Sequence, residues 1–148
     1  MDQTPVATIG FTKSTAERFF ERLLAAGVTK VIDVRLHNTS QLAGFAKAED
    51  LAYLLGKVAG IGYAHEPMLA PTDDILTAYK KDKGDWGEYR SRFLGLIAER
   101  KIEDRLKPEA LAGACLLCSE ATPDHCHRLL VCEYLNGKWG GRLKVRHL

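Results

Sequence analysis

Residues 116–135, with the sequence LLCSEATPDHCHRLLVCEYL, hold the densest set of groups in this chain that can do chemistry. Cys118 ends an apolar run, and Cys126, His127 and Arg128 stand at the start of a predicted helix. A helix N-terminus and an arginine both favour the charged form of a thiol, so they lower its pKa towards neutrality. Either Cys118 or Cys126 is therefore a candidate nucleophile.

The same segment can also bind an anion. Backbone N–H groups at a helix start, together with Arg128, suit a phosphate, a sulfate or a carboxylate. Glu120 or His127 would then move a proton to or from the bound ligand. These residues predict a thiol-dependent reaction at an anion-binding loop.

Three other interpretations use the same residues. Cys118 and Cys126 can form a redox-sensitive pair, and either thiol can form a transition-metal site with His65 or His147. In the third interpretation Cys118 is simply buried and His127 only caps or packs. No pair of ligands has the spacing of a closed zinc site, so we predict neither a bound metal nor a cofactor.

The spacing of Cys115 and Cys118 resembles the CxxC knuckle of zinc and redox sites. Side chains alternate along a strand, however, so residues three apart point to opposite faces, and Cys115 is expected to be a small buried hydrophobe. Cys132 comes six positions after Cys126 on the predicted helix, on a different face. We expect Cys132 to lie in the core as well.

Strands and helices alternate along the chain. Short apolar or β-branched runs predict five strands, in VATIG, VTKVID, IGYAHEP, ALAGACLLC and RLKVRHL. Ser14 is predicted to be the N-cap of the first helix, with Glu17 completing a capping box. Further helices are predicted over AEDLAYLLGKVA, as one long helix within residues 72–106, and from about His125 to Leu135.

Alternating strands and helices favour right-handed crossovers between parallel strands. We therefore predict one α/β domain over residues 1–148, a three-layer sandwich with a mostly parallel sheet and helices on both faces. Ligands of such sheets bind outside the carboxyl ends of the strands. The polar residues at those ends, which form the predicted site, are Asp33, Arg35, His65, Cys118, Glu120 and His147.

The composition bounds the function classes. With 148 residues, 46% hydrophobic side chains and a net charge of +2, the chain fits one globular domain with a sizeable core. No apolar run approaches the roughly 18 residues that cross a bilayer, and no secretion signal is visible, so no membrane partner is expected. The net charge argues only weakly for nucleic acid. Four cysteines confined to residues 115–132 do not resemble a secreted disulfide scaffold, and we predict a cytoplasmic protein.

The segments TIGFTKSTAERFFERLLAAGVTKVIDVR, GFAKAEDLAYLLGKVAGIGYAHEPML, residues 116–135 and the closing VRHL resemble the uncharacterised bacterial-type family called domain of unknown function 488. The resemblance implies an α/β domain and no particular activity. Two loops depart from the family pattern, LHNTS after the Asp-Val-Arg and MLAP after the His strand. The shared polar residues that it implies are Thr12, Ser14, Asp33, Arg35, Ser40, His65, Cys126, His127 and Arg128.

A weaker similarity links the chain to rhodanese-like domains, in which a strand ending in a cysteine precedes a loop that reaches an arginine. The loop from Cys118 to Arg128 is longer here. The similarity therefore supports an anion-binding thiol loop more than it supports sulfur transfer.

The predicted function is a cysteine-dependent transferase or hydrolase that acts on a small anionic or nucleotide-like ligand. Arg128 and Arg35 would hold the anion, and Asp33 would orient an arginine or the substrate. One alternative is a cysteine-based redox or metal sensor. The other is a non-catalytic module that binds a nucleotide or nucleic acid and also uses the basic residues Lys138, Arg142, Lys144 and Arg146. The sequence makes no prediction of the oligomeric state.

Overall fold

The computed structural model describes residues 3–38, 44–120 and 123–148. Within these residues, five parallel strands form one sheet in the order β3-β2-β4-β1-β5. The predicted α/β class is confirmed, and the sheet is fully parallel in the described part. The strands are β1 (Thr4–Gly10), β2 (Lys30–Asp33), β3 (Gly62–His65), β4 (Ala114–Cys118) and β5 (Leu143–His147).

Helices cover both faces of the sheet, as predicted. From β1 the chain passes to β2 and then to β3 at one edge of the sheet. It then returns to β4, which lies between β2 and β1, and ends in β5 at the other edge. Because the chain moves across the sheet in both directions, right-handed crossovers place the connecting helices on opposite faces. The helices are α1 (Ala16–Ala25), α2 (Ala48–Leu54), α3 (Asp73–Lys80), α4 (Trp86–Arg100), α5 (Ile102–Arg105), α6 (Pro108–Leu111) and α7 (His127–Lys138). A π-helical turn (Leu55–Ala59) and the 3-10 turns Gly44–Ala46 and Pro67–Leu69 complete the described elements.

Each face of the sheet has its own core. On one face, Ile9 and Val31 of the sheet pack with Phe19 and Leu23 of α1. The other face joins alternate strand residues, among them Leu116, to α4 and α7. This division follows from the two-residue period of the strands, which directs neighbouring side chains to opposite faces.

The first helix begins one residue later than predicted. Thr15, not Ser14, is the N-cap, and its Oγ1 accepts a hydrogen bond from the Arg18 backbone N–H at 3.2 Å. The Ser14 hydroxyl instead donates to the Thr15 carbonyl and accepts from the Arg22 guanidinium. Both residues are good N-caps by type, so the sequence pattern alone could not choose between them.

The prediction of one long helix within residues 72–106 is wrong, because three helices occupy this region. Asp85 caps a new helix, and its carboxylate accepts from the Glu88 N–H at 3.1 Å. Lys83 and Lys101 adopt positive φ angles of 51° and 54°, which are not helical and interrupt the helix at the two breaks. The continuous apolar spacing of this region hid these breaks.

Two further boundaries differ from the prediction. The segment ALAGACLLC is strand only from Ala114, because α6 ends at Leu111 and Gly113 turns the chain with a φ of 75°. The last helix begins at His127, since His125 has a φ of 57° and lies outside it. None of the described helices combines the length and the apolar character needed to cross a membrane.

Candidate functional site

A pocket of about 240 Å³ opens at the carboxyl ends of β2 and β4. The chain leaves these neighbouring strands towards opposite faces of the sheet, which creates the crevice in which parallel α/β proteins usually bind ligands. The pocket lining comes from residues 35–37, 118–120 and 125–127, and from side chains of α3 and α4.

Two thiols form the inner wall of this pocket. Cys118 is the last residue of β4, and Cys126 is the N-cap residue of α7. Both side chains are buried, both line the pocket, and their sulfur atoms are in bonding contact. The Cα atoms lie 7.8 Å apart, because one thiol reaches out from the sheet and the other from the helix start.

The guanidinium of Arg128 lies directly behind the thiols and has no exposed surface. Its Nη1 donates to the Cys118 sulfur at 2.9 Å and to the Glu120 carbonyl at 2.7 Å, and its Nε donates to Thr8 Oγ1 at 3.3 Å. Burial lowers the pKa of Arg128 to about 10, which still leaves it charged at neutral pH. Among the described residues, Nη2 has no hydrogen-bond partner and no carboxylate pairs with the guanidinium.

Arg128 is not part of the pocket lining, so its placement differs from that of a direct anion clamp. The distance from its Nη1 is 2.9 Å to the Cys118 sulfur and 3.9 Å to the Cys126 sulfur. A buried cation without a carboxylate is stabilised by any nearby group that can become negative, and a thiol can. Once the bond between the two sulfur atoms is reduced, the arrangement therefore favours the thiolate form, above all at Cys118.

Gly10 makes this close packing possible. A Cβ atom built on Gly10 would lie 1.5 Å from the Glu120 carbonyl oxygen and 2.9 Å from Arg128 Nη1. No side chain fits at the end of β1 while the Glu120 carbonyl accepts from Arg128. The glycine is thus explained by a close backbone approach and not by its φ angle.

The other two cysteines lie in different surroundings. Cys115 packs in the core on the opposite face of the sheet from Cys118, as the strand period predicts, and Cys132 lies on the buried side of α7. Burial raises the pKa of Cys132 to about 12 and also raises that of Cys115. Neither residue lines the pocket, so the CxxC spacing does not create a shared site.

Asp33 and Arg35 form a buried ion pair beside the pocket. Asp33 Oδ1 and Oδ2 accept from Arg35 Nε at 2.9 Å and Nη2 at 2.8 Å, and the Ala46 carbonyl also accepts from Nη2. The Tyr63 hydroxyl donates to Asp33 at 2.6 Å, and burial, together with this bond, raises the pKa of Tyr63 to about 12. Asp33 thus orients the side chain of Arg35, a residue of the pocket lining.

His127 and His65 both hold the chain where it leaves β2. His127 Nε2 donates to the Val34 carbonyl at 2.6 Å, and His65 Nε2 donates to the Arg35 carbonyl at 2.7 Å. Burial lowers the pKa of His127 to about 4, so its ring is neutral at neutral pH. Its Nε2 proton is already committed, and the geometry favours Glu120 over His127 as the group that moves a proton.

The remaining predicted residues lie outside this pocket. His147 Nδ1 accepts from the Thr8 hydroxyl at 2.6 Å, and Thr8 in turn accepts from Arg128, so the hydroxyl links the two side chains. Burial lowers the pKa of His147. Thr12 and Ser14 border a second cavity of about 170 Å³ at the end of β1, next to Arg18 and Arg22. Ser40 lies outside the described residues.

Sequence reasoning missed the aromatic wall of the pocket. Tyr79, Tyr89 and His125 belong to the lining, and Trp86 packs behind His125 with ring centroids 4.8 Å apart. Lys80 also lines the pocket and forms an ion pair with Glu120. The aromatic spacing was visible in the sequence, but it predicted only the buried side of a helix.

Two of the four basic C-terminal residues are paired with carboxylates. Lys138 is 4.0 Å from a carboxylate oxygen of Glu103, and Arg142 is 3.4 Å from one of Glu109. In the described ranges, no group of three or more His, Cys, Asp or Glu side chains could hold a metal ion.

A comparison with protein families matches residues 15–135 to the family described as domain of unknown function DUF488. Neither a search of curated proteins nor a search of solved structures finds a match. The weaker rhodanese-like similarity is not shown by any of these comparisons.

Proposed function

This chain belongs to the family described as domain of unknown function DUF488, whose description names no reaction, and we propose that it is a thiol-dependent transferase or hydrolase for a small anionic ligand. The observation that carries the proposal is the buried Arg128 guanidinium. It has no carboxylate partner among the described residues and donates to the Cys118 sulfur at 2.9 Å. Uncompensated buried charge is costly, and ionising Cys118 removes that cost.

Cys118 is the proposed nucleophile and Cys126 its neighbouring thiol. The helix α7 begins directly after Cys126 and carries no acidic residue in its first turn, so its N-terminus also favours negative charge at the thiols. The Cys118 thiolate would attack an electrophilic carbon or phosphorus, form a bond to it, and expel the leaving group with its electron pair. Glu120 would exchange the proton needed by the leaving group, and water or an acceptor would then release Cys118.

Positive charge near the pocket supports an anionic ligand. This charge comes from Arg128 behind Cys118, because the guanidinium of Arg35 is paired with Asp33 and Lys80 is paired with Glu120. In this proposal Arg128 is a positioning residue that stabilises the thiolate and does not itself contact the ligand. A cytoplasmic location belongs to the same proposal, because a reducing compartment keeps such a thiol pair available.

The decisive experiment is a pH titration of thiol alkylation, with mass mapping of every cysteine peptide. The protein is first reduced with dithiothreitol, which is then removed, because the bonded sulfur atoms of Cys118 and Cys126 cannot be alkylated. Iodoacetamide labelling is then followed over a pH range of about 5 to 9, and Cys132 and Cys115 serve as internal controls with raised pKa values. We expect the labelling midpoint of Cys118 to lie well below the usual thiol value of about 8.5, and the Arg128→Met substitution to raise it.

Folding of the Arg128→Met protein is checked by circular dichroism. Cys118→Ser protein then shows whether the low-pH labelling moves to Cys126. A Cys118 midpoint at or above the ordinary thiol value in the parent protein would contradict the proposal. An unchanged midpoint in a folded Arg128→Met protein would contradict the role of the guanidinium.

A second candidate function is a redox pair, and the contact between the two sulfur atoms favours it. Cys118 and Cys126 would each give up a proton and one electron to a peroxide, forming a disulfide and water. The test counts free thiols before and after hydrogen peroxide, and again after dithiothreitol. Loss of two of the four thiols, mapped to this pair and fully reversed, supports the candidate. Four thiols that persist contradict it.

A further inference from the structure

The pocket has a second wall that the proposed thiol chemistry does not use. Tyr79, Tyr89 and His125 line it, together with the aliphatic residues Leu36 and Leu76. A phosphate or sulfate at the thiols would fill only part of the roughly 240 Å³, which is several times the ~30 Å³ share of one water molecule. The remaining space adjoins side chains that suit an apolar, flat group.

The aromatic side chains form a connected stack that is anchored in the core. Phe93 and Tyr89 stack with an interplanar angle of 9°, Tyr89 and Trp86 with 22°, and Trp86 packs on His125 at 31°. Tyr79 packs against Tyr89 with centroids 4.8 Å apart. A stack held in this way is preorganised, so a further ring can join it with little loss of side-chain entropy.

Tyr89 adds a polar group to this wall. Its side chain is 4% exposed, it lines the pocket, and its hydroxyl makes no hydrogen bond within residues 3–38, 44–120 and 123–148. Burial raises the pKa of Tyr89, which keeps the hydroxyl protonated and able to donate. A hydroxyl at the wall of a pocket can donate to a ligand oxygen or ring nitrogen, and Tyr89 offers such a donor.

His125 ends the aromatic stack at the pocket lining. The residue adopts a φ of 57°, an uncommon conformation for a residue with a side chain, and its ring is exposed apart from the contact with Trp86. It stands directly before Cys126 in the chain. A flat group against His125 would therefore lie next to the thiol pair.

We infer that the ligand is an anion that carries a planar aromatic ring, with the ring against Tyr79, Tyr89 and His125 and the anionic end towards Cys118. The inference rests on the proposed function, because Cys118 marks the reacting end. Lys80 lies close to both ends, beside the Tyr79 ring and in an ion pair with Glu120. The ring can belong to a nucleotide base or to a simple aryl group, which share this chemistry.

The test measures binding with Trp86 as the reporter. Trp139→Phe protein has Trp86 as its single tryptophan and is titrated with inorganic phosphate, phenyl phosphate and adenosine monophosphate. We expect at least one ring-bearing probe to bind about tenfold or more tightly than phosphate. Preference for adenosine monophosphate identifies a nucleotide base, and preference for phenyl phosphate identifies an aryl group.

The control compares two exposed histidines of the pocket lining. His125→Ala is expected to abolish the advantage of the ring-bearing probe, whereas His37→Ala, which removes a histidine paired with Asp73, is expected to keep it. Ring-bearing probes that bind no more tightly than phosphate would overturn the inference, as would an unchanged advantage in His125→Ala. Alkylation of Cys118 in the same samples distinguishes a failure of this inference from a failure of the proposed function. If Cys118 has a low pH midpoint of labelling but no probe with a ring is preferred, only the inference about the ring is overturned.

Discussion

Replacing Asp33 by asparagine should strongly destabilise the fold. The Asp33 carboxylate is fully buried and accepts from Arg35 at 2.8, 2.9 and 3.1 Å and from the Tyr63 hydroxyl at 2.6 Å. Asparagine keeps the shape but replaces one acceptor by an NH₂ donor, which then faces another donor. The Arg35 guanidinium, only 4% exposed, loses its counter-ion.

The expected magnitude follows from that burial. Removing one partner of a buried ion pair costs about 3–5 kcal/mol, because the remaining charge stays in the protein interior without compensation. For a chain of 148 residues this corresponds to a fall in Tm of roughly 10 °C. Asp33→Asn protein should therefore retain only part of a typical total stability of about 5–15 kcal/mol.

Urea unfolding monitored by circular dichroism measures this loss, and Asp74→Asn supplies the control. Asp74 pairs with Arg92 at 2.9 Å, almost the same distance, but its side chain is 71% exposed. Water compensates the charges of such a pair, so the unfolding midpoint of the control should stay close to that of the parent protein. If both variants lost the same small amount of stability, the assignment of the Asp33 pair as a stabilising buried contact would be refuted.

Two further predictions concern His127 and Gly10. The pKa of His127 falls from 6.5 to about 4 on folding, so only the unfolded chain takes up this proton between those pH values. The free energy of unfolding therefore falls as the pH drops, by roughly 3 kcal/mol in total. A glutamine at position 127 can still donate to the Val34 carbonyl, so His127→Gln protein should lose less stability than the parent protein between pH 7 and about 4.5. Urea unfolding midpoints measure this difference, and equal losses in the two proteins would count against the prediction. Gly10→Ala should cost about 1–3 kcal/mol of unfolding free energy, because its Cβ would meet the Glu120 carbonyl, whereas Gly95→Ala in an open helix position should gain about 0.5–1 kcal/mol. A neutral Gly10→Ala in the same unfolding assay would exclude that clash.

Much of the fold could be predicted because strands and helices have different hydrophobic periods. The period of two in β4 already separated Cys115 from Cys118, and the structure places them on opposite faces of the sheet. Parallel strands also bring their carboxyl ends to one edge, so Arg35, Cys118 and Glu120 were expected to meet, and all three line one pocket.

Boundaries and caps were harder to predict, for a local reason. Ser14 and Thr15 are both suitable N-caps, and the choice depends on where the chain from Gly10 turns back over the sheet. The break at Lys101 uses a left-handed residue and has no glycine or proline beside it, so no turn signal marks it, whereas Gly84 directly follows the left-handed Lys83. Such conformations are set by packing of the flanking helices.

The sequence by itself determined the alternation of strands and helices, the parallel sheet, and the set of polar residues at its carboxyl edge. Only the tertiary structure decided which contacts each of those residues makes. Asp33 pairs with Arg35, His127 and His65 donate to backbone carbonyls, and Arg128 lies buried behind the thiols. It also brought the aromatic side chains of α3 and α4 to the pocket. The physical reason is the distance along the sequence over which each interaction acts. Periodicity and capping involve a few neighbouring residues, whereas burial and side-chain pairing depend on segments that meet only when the chain is folded.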